Sequence, residues 1–204
     1  MSRPSIAIID YGSGNIRSVS QAVKKVCGEP IISADYQEIL QCDAAILPGV
    51  GSASQAMREL GNRNLSLTIR KFVESGKPII GVCLGLQVLF DKSEEGNTAC
   101  IGLIPGEVKE FKTDLKVPHM GWNSVNFEFD HPIFSNIPNQ THFYFVHSYY
   151  VQPSEKESIA GTTQYGETNF CSVSIQDNLI ATQFHPEKSG TLGLQMYKNF
   201  IELI

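Results

Sequence analysis

The sequence contains few of the signals that direct a protein to a nucleic acid or to a membrane. No run of Lys or Arg is longer than the pair Lys24-Lys25, and the formal net charge is −5. A nucleic-acid partner is therefore disfavoured, because binding to a phosphate backbone depends on clustered positive charge. The chain passes directly into an apolar segment at residues 5–10, and no hydrophobic run reaches transmembrane length. We expect a protein without a secretory leader or membrane anchor, located in the cytoplasm.

The patterns of a disulfide framework and of a metal site are also missing. The five cysteines are odd in number and include no C-x-x-C pair, which suits a reducing compartment. His142 and His147 lie five positions apart on what is predicted as one strand, 141–151, so they face opposite sides of it. Of the other three histidines, only His185 has a close companion, which is Glu187. We therefore expect no metal.

A complete dinucleotide-binding loop is lacking as well. Residues 10–15 (DYGSGN) follow the first predicted strand and supply two glycines of G-x-G-x-x-G, but the third position is Arg17. No nucleotide is therefore expected, and the sequence predicts no other cofactor. Asn15 fits the N-cap of the following helix, since its side-chain oxygen can accept a hydrogen bond from the first turn.

The order of the apolar segments predicts an α/β fold. In the first half, short strands alternate with helical patterns, which is typical of a mostly parallel sheet covered by helices on both faces. The predicted strands there are 6–10, 30–33, 44–47 and 78–82, and the predicted helices are 15–27, 52–60, 65–75 and 84–92. The second half is rich in predicted strands, at 106–111, 122–127, 142–151, 158–164, 170–175 and 179–184, before a helix at 190–203. With 42% hydrophobic residues, the chain suits one domain, 1–204, with its active site at the carboxyl ends of the parallel strands.

The most informative motif is Gly81-Val82-Cys83-Leu84-Gly85, at the end of a predicted buried strand. A G-x-C-x-G corner, which we call the elbow, presents a cysteine between a strand and a helix, as G-x-S-x-G presents a serine. The glycines permit a tight turn, and the N-terminus of the following helix favours a thiolate. The motif predicts that Cys83 is a nucleophile, whereas the alternative is a buried cysteine that only fills the core.

The segment His185-Pro186-Glu187 follows the last predicted strand and supplies the partners that a thiol nucleophile needs. His185 can accept and return the proton, and Glu187 can fix its tautomer. In extended chain, residues two apart point to the same side, so Glu187 would reach the far nitrogen of His185. The alternative, a solvated turn with a chance histidine, is disfavoured because the elbow motif is also present.

A second glycine-rich loop, at residues 48–52 (PGVGS), should lie beside Cys83. Acyl transfer needs backbone N–H donors directed at the developing oxyanion. The N–H of Leu84 is one candidate donor, and the N–H of Val50 or Gly51 is a candidate for the other. Glycines on both sides of Val50 would allow its peptide to rotate, although an ordinary strand-to-helix turn is an equally good explanation of this loop.

Together these segments resemble the class I (triad) glutamine amidotransferases. The elbow and the His-Pro-Glu segment carry the resemblance to the class, and six segments spread over nearly the whole chain carry the resemblance to one branch of it. These six segments are 9–15, 48–51, 102–106, 118–123, 144–149 and 183–189. The resemblance implies a single-domain, flavodoxin-like α/β fold and hydrolysis of glutamine through a cysteinyl thioester.

The resemblance also implies residues that hold the substrate. In relatives the amino-acid end of glutamine is bound by the glutamine of the elbow helix, here Gln87, and by the backbone after a strand, here Ser148 and Tyr149. Each position also has a structural explanation, since Gln87 could cap a turn and Tyr149 could belong to the core.

The ammonia released needs a consumer, and the chain has little length left for a second active site. In the branch that the chain resembles, the consumer is a separate cyclase subunit of histidine biosynthesis, a (β/α)₈ barrel, and the two subunits form a heterodimer. Three alternatives stay open at this point. They are the glutaminase subunit of another ammonia-using synthase, a stand-alone γ-glutamyl cysteine hydrolase, and an inactive binding module.

Overall fold

This computed structural model describes residues 3–204. Apolar strands and amphipathic helices alternate in the first half of these residues, and strands dominate the second half. The helices are α1 (Ile16–Lys25), α2 (Tyr36–Gln41), α3 (Ala53–Asn62), α4 (Leu65–Glu74), α5 (Leu84–Gln87) and α6 (Gly190–Ile201). The strands are β1 (Ser5–Ile9), β2 (Glu29–Ser33), β3 (Ala44–Gly49), β4 (Ile79–Cys83), β5 (Lys92–Ser93), β6 (Thr98–Ala99), β7 (Gly106–Glu110), β8 (His119–Phe127), β9 (Thr141–His147), β10 (Tyr149–Pro153), β11 (Ile159–Tyr165), β12 (Thr168–Gln176) and β13 (Leu179–Thr182).

Five parallel strands, in the order β2-β1-β3-β4-β13, form the centre of the sheet. Every residue of β3, β4 and β13 is buried, because helices or other strands cover both faces of these strands. Beyond β13 the sheet continues through β12, β10 and β7, where the pairing becomes antiparallel. The predicted α/β class with a central parallel sheet is confirmed.

The helices divide between the two faces of the sheet. In α1 the buried apolar side chains Val19, Ala22 and Val23 follow the three- and four-residue spacing of an amphipathic helix, and they share one core cluster with Phe200 of α6. Ile39 of α2 belongs to the second cluster, on the opposite face, together with apolar residues of α3 and α4. None of the described helices has the length and hydropathy needed to cross a bilayer.

The apolar segment 84–92 is not one helix, contrary to the sequence prediction. Helix α5 ends at Gln87. After it, the backbone carbonyls of Val88 and Leu89 accept hydrogen bonds from the N–H groups of Ile101 and Leu103, which lie in a later segment. Residues 84–90 are all buried, so the apolar composition of this stretch could not distinguish a helix from an irregular core segment. Helix α2 and the short strands β5 and β6 were also missed.

The predicted strand 142–151 is in fact two strands, because the chain turns at Ser148. Strand β9 pairs with β8, whereas β10 pairs with β7 and β12. This change of partner brings the junction between the two strands to the carboxyl edge of the parallel sheet, where β4 ends.

Candidate active site

Cys83 occupies a strained corner between β4 and α5, with φ +56° and ψ −109°. A non-glycine residue in a sparsely populated region costs on the order of 1–3 kcal/mol, which the surrounding packing must offset. The flanking glycines make that packing possible. A Cβ atom on Gly81 would lie 2.7 Å from Leu89 Cδ1, and one on Gly85 would overlap the carbonyl of Leu47.

The Cys83 side chain is 7% exposed and faces a cavity of about 320 Å³. Eight of the nine site residues predicted from the sequence line this cavity: Val50, Gly51, Cys83, Leu84, Gln87, Ser148, Tyr149 and His185. The ninth, Glu187, lies behind His185. A concave site of this size with convergent polar groups is typical of a small-molecule binding site.

His185 and Glu187 form a buried pair, with 2.8 Å between His185 Nδ1 and Glu187 Oε1 and both side chains 1% exposed. The expected contact is present, but its geometric explanation was wrong. Residues Pro186–Lys188 form a 3₁₀ turn rather than extended chain, and this turn brings the carboxylate back to the ring. Glu187 occupies Nδ1 of the ring, whereas Nε2 has no hydrogen-bond partner among residues 3–204. Nε2 is therefore the nitrogen that is free to exchange a proton.

The charge state of His185 is set by its neighbours. Burial by itself lowers the pKa of His185, but the neighbouring Cys83 sulfur and the hydrogen-bonded Glu187 carboxylate outweigh burial and raise this pKa to about 9. The imidazole is therefore held as a cation at neutral pH, in a form able to donate a proton from Nε2.

Asn15 precedes α1 at the N-cap position but does not cap the helix with its side chain. Its Nδ2 instead donates to Glu187 Oε1 over 3.2 Å, so the same carboxylate oxygen contacts both Asn15 and His185. The N-cap prediction for this side chain was wrong, because a partner 172 residues away along the chain competes for the amide. The contact orients Glu187 from the end of β1.

The candidate oxyanion donors lie in two segments beside Cys83. Leu84 is buried, whereas Val50 is 40% exposed, and Gly51 has φ +94°, a conformation that favours glycine. The hydroxyl of Ser13 donates to the carbonyl of Val50 over 2.8 Å, so the loop after β1 contacts this peptide directly. A Cβ on Gly49 would lie 2.5 Å from the backbone nitrogen of Gly85, so close packing, not only conformational freedom, requires glycine there.

Gln87 does not cap a turn. Its Nε2 donates to the carbonyl of Tyr149 over 2.9 Å and to Gln183 Oε1 over 3.0 Å. These two bonds use both hydrogens of the amide, so Oε1 is the atom that Gln87 can offer to a ligand. An acceptor at this position suits the α-ammonium group of an amino acid better than its carboxylate.

His119 and His147 form a second buried pair that the sequence analysis missed, with 2.9 Å between His119 Nδ1 and His147 Nε2. Asn123 Nδ2 donates to His119 Nε2, so His119 carries its proton on Nδ1. His119 Nδ1 therefore donates to His147 Nε2. His147 in turn donates from its own Nδ1 to the carbonyl of Tyr149. The expectation that His119 has no close histidine companion was wrong. The two residues are 28 positions apart and meet only through the antiparallel register of β8 and β9.

Burial keeps this pair neutral. It lowers the pKa of His119 to about 4 and that of His147 to about 3. Within residues 3–204, no three His, Cys, Asp or Glu side chains are grouped as ligands for a metal ion. The other cavity residues that the sequence did not indicate are Glu95, Pro118, Val146 and Lys188. Pro118, Val146 and Lys188 fall within segments that carry the family resemblance, at 118–123, 144–149 and 183–189, but nothing in those segments distinguishes these three positions as cavity residues. Glu95 lies outside all six segments.

Comparison with known proteins agrees with this fold. Residues 7–203 match the family described as glutamine amidotransferase class-I. Among solved structures, the chain superposes on the structure of PurLQS from Thermotoga maritima with a TM-score of 0.77 and 18% identity, covering 98% of this chain and 99% of that one. It superposes on a crystal structure of a glutamine amidotransferase with a TM-score of 0.76 and 18% identity, covering 97% of each chain. At these identities the likeness concerns the fold alone.

Curated relatives are much closer in sequence. The chain is 50% identical to the imidazole glycerol phosphate synthase subunit HisH of Moorella thermoacetica, covering 98% of this chain and 95% of the relative. It is 49% identical to the subunit HisH of Methanocaldococcus jannaschii, covering 98% of this chain and 100% of the relative. It is 46% identical to the subunit HisH of Dehalococcoides mccartyi (strain CBDB1), covering 97% of each chain. The chain therefore belongs to the class I glutamine amidotransferases and, within that class, to the HisH family.

The buried contact between His185 and Glu187 leads to a first prediction. Replacing Glu187 with Gln should lower the pKa of His185 below about 9, because an amide neither carries the negative charge nor fixes the Nδ1–H tautomer as well. Glutamine hydrolysis should fall by more than about tenfold, but less than on loss of Cys83. An NMR titration of the His185 ring and a glutaminase assay measure the two effects.

The matched control is Glu202→Gln, which removes an exposed carboxylate at the end of α6. This control should leave both quantities unchanged. Wild-type activity and an unchanged His185 titration in Glu187→Gln would show that the buried carboxylate has only a structural role.

The second histidine pair predicts acid sensitivity of the fold. The folded pKa values, about 4 and about 3, lie below the unfolded value of about 6.5, so below that pH the unfolded chain binds more protons than the folded one. The free energy of unfolding should therefore fall as the pH drops from about 6.5 towards 4. His119→Gln keeps an amide donor for His147 but does not titrate, so this loss should be shallower by up to about 1.4 kcal/mol per pH unit. Urea unfolding at a series of pH values tests this prediction, and identical slopes for the two proteins would contradict it.

Proposed function

We propose that this chain is the glutaminase subunit of an imidazole glycerol phosphate synthase in histidine biosynthesis. It hydrolyses glutamine to glutamate and ammonia and passes the ammonia to a cyclase subunit. The observation that carries the chemistry is the cysteine at a strained strand-to-helix corner, beside a His185–Glu187 pair whose Nε2 is free. The observation that carries the pathway is the similarity to HisH proteins over nearly the full length of both chains.

In the first half-reaction, the sulfur of Cys83 attacks the side-chain amide carbon of glutamine. A C–S bond forms, and the negative charge that develops on the amide oxygen is stabilised by N–H groups from Leu84 and from Val50 or Gly51. The C–N bond then breaks, and the cationic His185 donates its Nε2 proton to the leaving ammonia. The raised pKa of His185 supports this assignment, because it keeps that proton available at neutral pH.

In the second half-reaction, water hydrolyses the glutamyl thioester. His185, now neutral, takes a proton from the water as it attacks the thioester carbon, and the C–S bond breaks to release glutamate and restore Cys83. Glu187 orients the ring and stabilises its cationic form in both steps. The substrate is held by Gln87, whose free Oε1 suits the α-ammonium group, and by the backbone at Ser148 and Tyr149.

A partner subunit is part of the proposal, because free ammonia would be lost to water. We infer a (β/α)₈-barrel cyclase in a heterodimer, which takes a formimino-AICAR ribonucleotide and gives imidazole glycerol phosphate and AICAR. Its docking face should lie beside the cavity mouth. Pro118, which immediately precedes β8, lines the cavity. Met120 and Trp122 in β8 are 60% and 56% exposed, which is unusual for large apolar side chains.

The chain is proposed to act as one domain, 1–204, in the cytoplasm, where its five free thiols would remain reduced. A stand-alone γ-glutamyl cysteine hydrolase is the second candidate, because the triad chemistry alone would serve that reaction as well. The two functions differ in their dependence on a partner, which the experiments below measure.

The separation of ammonia production from ammonia use predicts the effect of Cys83→Ser. In the complex with the cyclase, this variant should abolish synthesis from glutamine but leave synthesis from added ammonia largely intact, because an alcohol is far less ionised than a thiol at neutral pH. Cys100→Ser, which changes a cysteine outside the cavity, is the matched control and should retain both activities. A parallel loss of the ammonia-dependent reaction in Cys83→Ser would place the cyclisation site on this chain and refute the proposal.

The glycines on both sides of Val50 predict that the isolated chain is a poor glutaminase. One orientation of the peptide between Gly49 and Val50 directs the Val50 N–H at the oxyanion, and the other turns it away. Loss of one such donor costs about 2.7–4 kcal/mol, or roughly 10²–10³ in rate. A partner that binds only the active arrangement would therefore stimulate hydrolysis by up to about that factor.

The measurement compares glutamine hydrolysis by the chain alone, with the cyclase, and with the cyclase plus its ribonucleotide. We expect turnover to rise through the series. Equal turnover in all three samples would eliminate the gating and favour the stand-alone hydrolase.

A further inference from the structure

Behind Cys83 lies a buried polar side chain that the mechanism above does not use. Gln183 is fully buried, one residue beyond β13 and two before His185, and its Nε2 lies 3.7 Å from Cys83 Sγ. A primary amide has a donor end and an acceptor end, so its effect on the sulfur depends on which end faces it.

The surrounding hydrogen bonds determine this orientation. The carbonyl of Tyr149 can only accept, so Gln87 must present its Nε2 to that carbonyl. The same Nε2 lies 3.0 Å from the side chain of Gln183, so Gln183 must present its acceptor, Oε1, to Gln87. The donor end of Gln183 is then left facing Cys83.

This chain of contacts is rigid because its starting point is doubly fixed. The carbonyl of Tyr149 accepts a hydrogen bond from His147 Nδ1 as well as from Gln87. His147 is held in turn by His119. Reversing Gln87 would leave two acceptors facing each other, and reversing Gln183 would leave two donors facing each other. In a buried site either arrangement costs far more than an ordinary rotamer change.

We propose that Gln183 is a further catalytic residue, which donates a hydrogen bond from Nε2 to Cys83 Sγ and stabilises the sulfur when it carries negative charge. An N–H donor favours a charged acceptor over a neutral one, and its effect is strong in a site that excludes water. Another polar neighbour of the sulfur is the carbonyl of Val146, 3.9 Å away, which can accept a hydrogen bond from the thiol but cannot stabilise a thiolate. Gln183 thus counteracts the preference of that carbonyl for the thiol.

This inference rests on the proposed role of Cys83 as the nucleophile, so the test reads the sulfur directly. The variant is Gln183→Met, which has a similar size and no N–H donor. The rate of alkylation of Cys83 by iodoacetamide is followed against pH, with mass spectrometry of the Cys83 peptide to separate it from the other four cysteines. Iodoacetamide does not need the substrate contacts of Gln87, so a change reports on the sulfur alone.

We expect the alkylation profile of Gln183→Met to shift to higher pH by about one unit or more, which is a tenfold or greater loss of rate below the midpoint. The control is Ser172→Ala, in the neighbouring strand β12. Its buried hydroxyl forms a hydrogen bond with the hydroxyl of Thr163 over 2.9 Å, so this variant also loses one buried hydrogen bond. The Ser172→Ala profile should match that of the wild type. An unshifted profile in a folded Gln183→Met protein would overturn the inference.

A measurement on the unmodified amide covers the case in which Gln183→Met does not fold. In the wild type, the side-chain NH₂ resonance of Gln183 should move as Cys83 titrates, and in Cys83→Ala it should not move over the same pH range. A resonance that is insensitive to pH in the wild type would also overturn the inference.

Failure of the proposed function gives a different result. If a glutamine-like electrophile does not label Cys83 in the wild type, the nucleophile assignment itself is wrong. If Cys83 is labelled but neither the alkylation profile nor the NH₂ resonance responds as expected, only the role of Gln183 is wrong.

Discussion

The site depends on the parallel pairing of β4 with β13, in which Val82 is the register partner of Thr182. Because the two strands run in the same direction, they end at the same edge. Cys83, the last residue of β4, and His185, three residues beyond β13, meet there. The third parallel strand, β3, pairs with the other side of β4 and brings Gly49 opposite Cys83. The proposed nucleophile, the proposed base and the candidate oxyanion loop are thus positioned by backbone hydrogen bonds. This rigidity matters because a misplacement of about 1 Å can cost roughly 10²-fold in rate.

The second constraint is the cost of burying polar groups. The two glutamines and two histidines around the cavity are all nine-tenths or more buried, so each must find hydrogen-bond partners inside the protein. Their mutual bonds converge on one backbone carbonyl, that of Tyr149, which can only accept. A single backbone group therefore determines the direction of the whole network, including the end that faces the sulfur.

Much of the fold was predictable because its elements carry local signals. Helices α1, α3, α4 and α6 have clear periodicity or apolar content, and the parallel strands are short apolar runs between turn residues. The errors fall where burial is complete or where a strand changes partner. Residues 88–90, directly after Gln87, are all apolar and buried, so periodicity is uninformative there. The break at Ser148 becomes visible only when β9 and β10 pair with different strands.

By itself the sequence determined the chemistry. The glycines around Cys83 and the short spacing of His185 and Glu187 are local patterns, and local patterns can be read from a chain without knowing its path. Tertiary structure alone decided which distant groups complete the site: Asn15 on Glu187, His119 on His147, and Gln183 on Cys83. These partners are 28 to 172 residues apart, and their contacts follow from strand order and register, which no short segment encodes.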